Sequence, residues 1–303
     1  FGTIQITTEK AYEKRDNDNV LSWYNDNVLS IKGTLTEDTG IKELQFSTDN
    51  STWTNFYREQ EGKDYTFSGT ISINEEWKNK TIYIKAVDTL DNENTTEITG
   101  ISVDRNNPTV TINESIVYVN ASTESLSISV KPSDSGSGVK AVRAKINDGS
   151  YGSEIATGTN GTYTIPLNVL DLKNENIPST GTITVEVIDN VGKTGYATVQ
   201  YEKDIVLPKV EITSHSNGNI TVNKTITLKG STTESQGLAK VEIFVNGSDT
   251  ALKTFEGNAG FNWSCEIDTT KIYNGTETKD LPIKVVATDN AWNKGETTLN
   301  LAI

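Results

Sequence analysis

Cysteine occurs once in these 303 residues, so no disulfide can form within the chain. That excludes a small stapled scaffold but leaves the compartment open, because large sandwiches fold without bridges. Histidine also occurs once, as His215 in a Ser/Asn/Gly loop, and methionine is absent. A lone loop histidine reads as solvated rather than catalytic. No CxxC, HExxH, GxSxG or phosphate-cradling glycine loop is present. Carboxylates are plentiful, yet nothing signals the cleft that a catalytic pair would need. The expectation is therefore a protein that is not an enzyme and carries no catalytic or cofactor-binding residues. There is no run of 18 apolar residues and no signal-peptide pattern. A chain opening on Phe1 instead of Met reads as processed or partial. Basic residues number 27 against 41 acidic ones, and no basic patch exists to neutralise phosphates, so nucleic acid is not an expected partner. The net charge of −14 is uneven, at −9 for residues 1–104, −2 for 105–203 and −3 for 204–303. Such acidity favours solubility and attraction of cations.

What is present is a repeat. LSIKGTLTEDTGIKELQF from Leu29, LSISVKPSDSGSGVKAVRAKI from Leu126 and ITLKGSTTESQGLAKVEIFV from Ile226 share one pattern: alternating strand, acidic or Ser-rich turn with glycine, alternating strand. Gly40, Gly138 and Gly237 are followed four positions on by Leu44, Val142 and Val241. Pro108 and Pro208 open PTVTI and PKVEI 100 positions apart. Period-2 alternation puts Ile82/Ile84/Ala86, Ile183/Val185/Val187 and Ile283/Val285/Ala287 on inner strand faces. Asp49-Asn50, Asp148-Gly149 and Asn246-Gly247 mark tight hairpin turns. A short helical turn is expected around Asn74–Lys80 and its equivalents, with Trp77, Leu172 and Tyr273 as plugs beneath it. With about seven short strands per hundred residues, the pattern predicts an all-β chain of three tandem seven-stranded antiparallel sandwiches in an elongated array. The boundaries fall at 1–104, 105–203 and 204–303, joined by the short linkers VDRNNP and EKDIVLP. The first unit carries an insertion, RDNDNVLSWYND, between its first two strands.

The VxAxDxxxNxG arrangement, the D/N linker and the following PTVTI strand resemble the Ig-like modules repeated in prokaryotic surface proteins, related to fibronectin type III and cadherin repeats. The resemblance spans the whole chain in three copies; the Cys…Trp…Cys signature of antibody domains is absent. It implies a structural or stalk segment of an extracellular cell-surface protein, as in an S-layer, an adhesin or a wall-associated protein. Its partners would be other surface-protein domains or copies of itself. Two alternatives remain: a module binding glycans or host or neighbour-cell proteins through the first domain, and an accessory region of an extracellular hydrolase.

An Asp recurs before an Asn/Gly-containing stretch at 88, 189 and 289, and it has two readings. It closes a turn, through a carboxylate that accepts backbone N–H groups. Or, as the cadherin resemblance implies, Asp88, Asp91 and Asp104, with Glu37 and Asp38, gather around calcium, a cation that wants six to eight oxygens. Eleven Asn-X-Ser/Thr sequons, at Asn50, Asn79, Asn94, Asn113, Asn120, Asn160, Asn219, Asn223, Asn246, Asn262 and Asn274, are candidate glycan acceptors. Trp23 and Tyr24, in the insertion, are a candidate exposed binding surface. Cys265 alternates in phase with Phe261, Trp263 and Ile267 and reads as a core residue. Lys85 and Lys284 lie between inward-facing residues and so point outward, against isopeptide bonds.

Overall fold

A computed structural model describes all residues except 17–18, 220–224, 258–259, 273–278 and 303. The protein is almost entirely β, with 61% of residues in strands and 3% in helix. Among the described residues, no helix is long and apolar enough to cross a membrane. The chain forms two compact units: residues Phe1–Asn113, Ile128–Ile165 and Thr184–Thr198 make one, and Glu114–Ser127, Pro166–Ile183 and Val199–Ile303 the other.

In the first unit, Val28–Thr36 pairs antiparallel with Asp64–Ser72, from Val28↔Ser72 to Thr36↔Asp64. Ile4–Ile6 and Tyr57–Glu61 flank this pair. A second sheet runs in the order Tyr12–Asp16, Asn19–Tyr24, Glu93–Val103, Trp77–Asp88, Ile41–Ser47 and Thr54–Asn55. Alternation within the strands turns Leu29, Ile31, Ile82 and Ile84 into one shared core. Each such side chain contributes about 1.5–3 kcal/mol on burial. Phe46, Phe56 and Phe67 stack with centroids 5.0 and 4.9 Å apart. Gly33 lies against this stack because a Cβ there would meet the Phe67 ring at 2.3 Å. Thr109–Ile112 also belongs to this unit and pairs with Leu126–Ser133, from Thr109↔Ser133 to Ile112↔Val130.

In the second unit, Lys209–Ile212, Thr225–Thr233 and Asn262–Asp268 form one sheet. The opposing sheet runs Gly218–Asn219, Lys294–Ala302, Asp280–Asp289, Leu238–Val245, Lys253–Glu256. Leu228, Val241, Ile243, Val285, Ala287 and Leu301 fill the space between. Cys265 lies in this core, as its alternation predicts, and burial pushes its thiol pKa up.

The strand faces follow the alternation, but three features differ from the sequence reading. First, the opening strand of each repeat is split. Its early half joins one sheet antiparallel, as in Ile4↔Gly33 and Lys209↔Thr233. Its late half joins the last strand in parallel: Ser22↔Ile101, Ile116↔Gln200 and Gly218↔Leu301. The insertion of the first repeat folds as a hairpin on this late half, with Tyr12 opposite Trp23. Second, Asn74–Lys80 contains no helix, because only four residues separate Ser72 from the strand beginning at Trp77. Longer connections carry helices at Val169–Lys173, capped by Asn168, and at Thr269–Ile272. Trp77 and Leu172 are buried as the expected plugs, while Tyr273 lies outside the described residues. Third, the left-handed residue of the second hairpin is Asn147 (φ 49°), one position before Asp148; Asn50 and Asn246 (both φ 57°) fall where expected.

Candidate functional site

The recurring Asp makes the same turn three times. Asp88 Oδ1 accepts N–H bonds from Leu90 and Asn92, both at 2.8 Å. Asp189 Oδ1 accepts from Val191 at 2.9 Å and Lys193 at 2.8 Å. Asp289 Oδ1 accepts from Ala291 at 2.9 Å and Asn293 at 2.8 Å. In each, the Asp N–H donates back to the carbonyl four residues ahead, at 3.0–3.1 Å. The residue before that carbonyl is left-handed: Asp91 (φ 62°), Gly192 (φ 91°) and Trp292 (φ 68°). Asp91 therefore serves the turn through its backbone, and its side chain pairs with Lys42.

The second carboxylate oxygen separates the three. Asn92 Nδ2 donates to Asp88 Oδ2 at 2.7 Å, and Asn293 Nδ2 donates to Asp289 Oδ2 at 2.9 Å. The equivalent residue of the middle turn is Lys193, and Asp189 Oδ2 is buried without a hydrogen-bond partner.

Asp189 also belongs to a carboxylate cage. Asp104, Asp134 and Asp189 each place an oxygen within 4.8 Å of the others. Asp104 is fully buried in the first linker; its Oδ2 accepts the Ser137 N–H at 2.7 Å and its Oδ1 the Asn106 N–H at 3.2 Å. Asp134 Oδ2 accepts from Gly136 and Gly138 at 3.1 and 2.7 Å, whereas Oδ1 is buried and unpartnered. Glu76 Oε2 accepts from the Arg105 N–H and Asn106 Nδ2, leaving Oε1 buried and unpartnered. A Cβ on Gly136 would lie 2.3 Å from Glu76 Oε1 and 2.5 Å from Asp104 Oδ1, so glycine leaves the hollow that these two oxygens share. Among the described residues, no salt bridge reaches any of the four. Burial, then the charges of Asp104 and Asp134, push Asp189 up to about 6. Burial also raises Glu76 and Asp134, again reinforced by the neighbouring carboxylates.

The cage unites Asp104 with Asp134 and Asp189, not with Asp88 and Asp91. Glu37 binds Thr39 instead, and Asp38 pairs with Lys63. Asp134 and Glu76 escape sequence reasoning because they come from separate loops with no local signature. The usable signal was Lys193 standing where the other two turns have asparagine.

Trp23 and Tyr24 are corrected as a binding surface. They are only 3% and 6% exposed, because the inserted hairpin and the split strand fold both rings inward. Trp23 packs with Leu21, Tyr12 and Val191. The exposed aromatic that the sequence reading passed over is Trp292, at 70%. Asn120 is half-buried: its amide donates to Ala291 O at 3.0 Å and is committed to that contact, against the glycan reading. Asn50, Asn79, Asn94, Asn113, Asn160, Asn246 and Asn262 are exposed. Asn219 is described by its backbone alone, while Asn223 and Asn274 lie outside the described residues. Lys85 lies 4.3 Å over the Trp53 ring, and Lys284 pairs with Glu296 at 2.6 Å.

Two contacts recur 100 residues apart in Val191 and Ala291. Asn25 Nδ2 donates to Val191 O at 3.2 Å in the first unit, and Asn120 Nδ2 donates to Ala291 O in the second. In the second unit Asn293 adds its own contacts, accepting from Ala121 N–H at 2.7 Å and donating to Asp204 O at 2.8 Å.

No curated relative matches the sequence. Among solved structures, the chain is similar to the I67–I69 I-band fragment of titin, at 12% identity over 93% of each chain and a TM-score of 0.46. It is similar to a 1.5-MDa bacterial ice-binding adhesin at 17% identity, over 90% of this chain and 89% of that one, with a TM-score of 0.40. It is also similar to fibronectin(III)-like modules of Clostridium thermocellum CbhA, at 14% identity over 64% and 93%, with a TM-score of 0.37. Residues 208–280 match the family model described as a bacterial Ig domain.

Proposed function

We propose that this chain is a non-enzymatic spacer segment of a prokaryotic cell-surface protein, built from three Ig-like modules at residues 1–104, 105–203 and 204–303. Its role is to hold neighbouring domains at a fixed separation outside the cell. The observation that supports this most is the repeated clasp. An Asn at the end of the split strand, Asn25 or Asn120, donates to the backbone of the next module's Asp turn, at Val191 or Ala291. A spacer needs each junction held by directional bonds, and the same bond stands at both. Backbone 15N relaxation across residues 104–107 and 204–207 tests this. Order parameters near ~0.85 are expected, and values below ~0.6 at either linker would refute a stiff spacer. Asn25→Ala and Asn120→Ala should each lower the order of their own linker while leaving the strand amides unchanged.

A further inference from the structure

Two of the three Asp turns are closed at every oxygen, and the middle one is not. Asn92 and Asn293 each donate a side-chain amide to their Asp. Lys193 offers no such donor to Asp189, whose Oδ2 is left fully buried and unpartnered. Around it stand Asp104, Asp134 and Glu76, the last two also holding an unpartnered buried oxygen. The Ser137 hydroxyl, whose own N–H sits on Asp104, is buried and unpartnered as well. Burying several carboxylates together, three of their oxygens without a donor and none of the four in a salt bridge among the described residues, is costly. A cation supplies the missing charge.

We propose that Asp104, Asp134, Asp189 and Glu76 bind one calcium ion, and that Lys193, by not being asparagine, opens the site. The donors are all oxygen, with no imidazole or thiolate, which disfavours zinc and later transition metals. Calcium binds oxygens at about 2.3–2.6 Å, so ligand oxygens on one ion lie within about 4.6–5.2 Å of each other. The aspartate oxygens, within 4.8 Å of one another, match that span. Magnesium demands near-ideal octahedral geometry at about 2.0–2.1 Å, which four side chains from separate segments are poorly placed to give. The turn at Asp289 has the same backbone but is plugged by Asn293, so it binds no ion. The site owes nothing to the spacer role and stands or falls separately from it.

The test is calorimetric titration of the full, chelator-treated chain with calcium chloride and, in parallel, magnesium chloride, with melting followed by circular dichroism. One equivalent of calcium at submillimolar Kd is expected, with a melting temperature that rises with calcium through preferential binding to the folded state. Lys193→Asn should donate an amide to Asp189 as the other two turns do. It should weaken calcium binding at least about tenfold through loss of one ligand oxygen, without lowering the metal-free melting temperature. Glu76→Gln, from a different segment, should also weaken it, and Asp88→Asn should leave it unchanged. Absence of binding at about 10 mM calcium, well above the range of extracellular modules, would overturn the assignment. So would equal affinity for magnesium, or calcium binding that survives intact in both Lys193→Asn and Glu76→Gln.

Discussion

The Asn293 side chain makes three hydrogen bonds from a position only 2% exposed. Its amide donates to Asp204 O at 2.8 Å and Asp289 Oδ2 at 2.9 Å, and its Oδ1 accepts the Ala121 N–H at 2.7 Å. Asn293→Ala removes all three and leaves a carbonyl, a carboxylate oxygen and an amide buried together. An orphaned buried group costs about 1–3 kcal/mol, and more when charged. Asp289 Oδ1 keeps its two backbone donors, and water entering the vacated space relieves part of the rest. A loss of about 3–5 kcal/mol follows, at the severe end of single substitutions. Lys193→Ala occupies the same place in the middle turn. There the turn uses only the backbone N–H and carbonyl of residue 193, which alanine retains. Its cost should stay within about 0.5 kcal/mol. Urea unfolding of both variants is read by hydrogen exchange in the unit that holds each substitution, at the amides of Leu228, Val241 and Val285 for Asn293→Ala and of Val142, Val185 and Val187 for Lys193→Ala. The reasoning fails if Asn293→Ala lies within about 1 kcal/mol of the parent, or if the two alanine variants cost the same.

Gly195 and Gly295 let two backbones cross where a Cβ would lie 1.8 Å from Pro108 O and 1.7 Å from Pro208 O. Gly195→Ala and Gly295→Ala should each cost on the order of 2 kcal/mol or more through forced displacement of the crossing strand, and unchanged melting in either would show the approach to be soft. The Asn92 amide, ahead of two backbone N–H groups, holds the Asp88 carboxyl below its ordinary value of 3.8. Its contribution is thus complete above that value and lost as pH falls through the lower folded pKa. Asp88→Asn should flatten the acid limb of the melting curve below about pH 4, and an unaltered acid limb would show that other groups set it.

Much of this fold was legible because strand alternation and turn residues are local signals. The inner faces at Ile82, Ile183 and Ile283 and the turn residues at Asn50 and Asn246 follow from them directly. The splitting of the opening strand was not legible, since an alternating apolar pattern serves a parallel neighbour as well as an antiparallel one. Nor was the burial of Trp23, which depends on Val191, 168 positions away. The cage was half legible. Asp189 stood out through the repeat and Asp104 through the linker resemblance, but Asp134 and Glu76 reach the cage only through the folded path of the chain. The difference between Asn92, Lys193 and Asn293 was in plain view, and its meaning depended on knowing which oxygen each amide would face.

The parallel pairing of the split strand with the last strand bears on how these repeats fail under tension. In a parallel pair the chain enters at one end and leaves at the other, so pulling the two ends apart slides the strands past each other. All the bonds of the ladder then resist together, whereas an antiparallel hairpin pulled from one end opens bond by bond. The ladder has five registered positions at Ile116–Asn120 and three at Ser22–Tyr24. Under a rising load the shorter of these two should therefore give way first and lengthen the chain while the longer one holds, so the number of registered positions grades the resistance to extension.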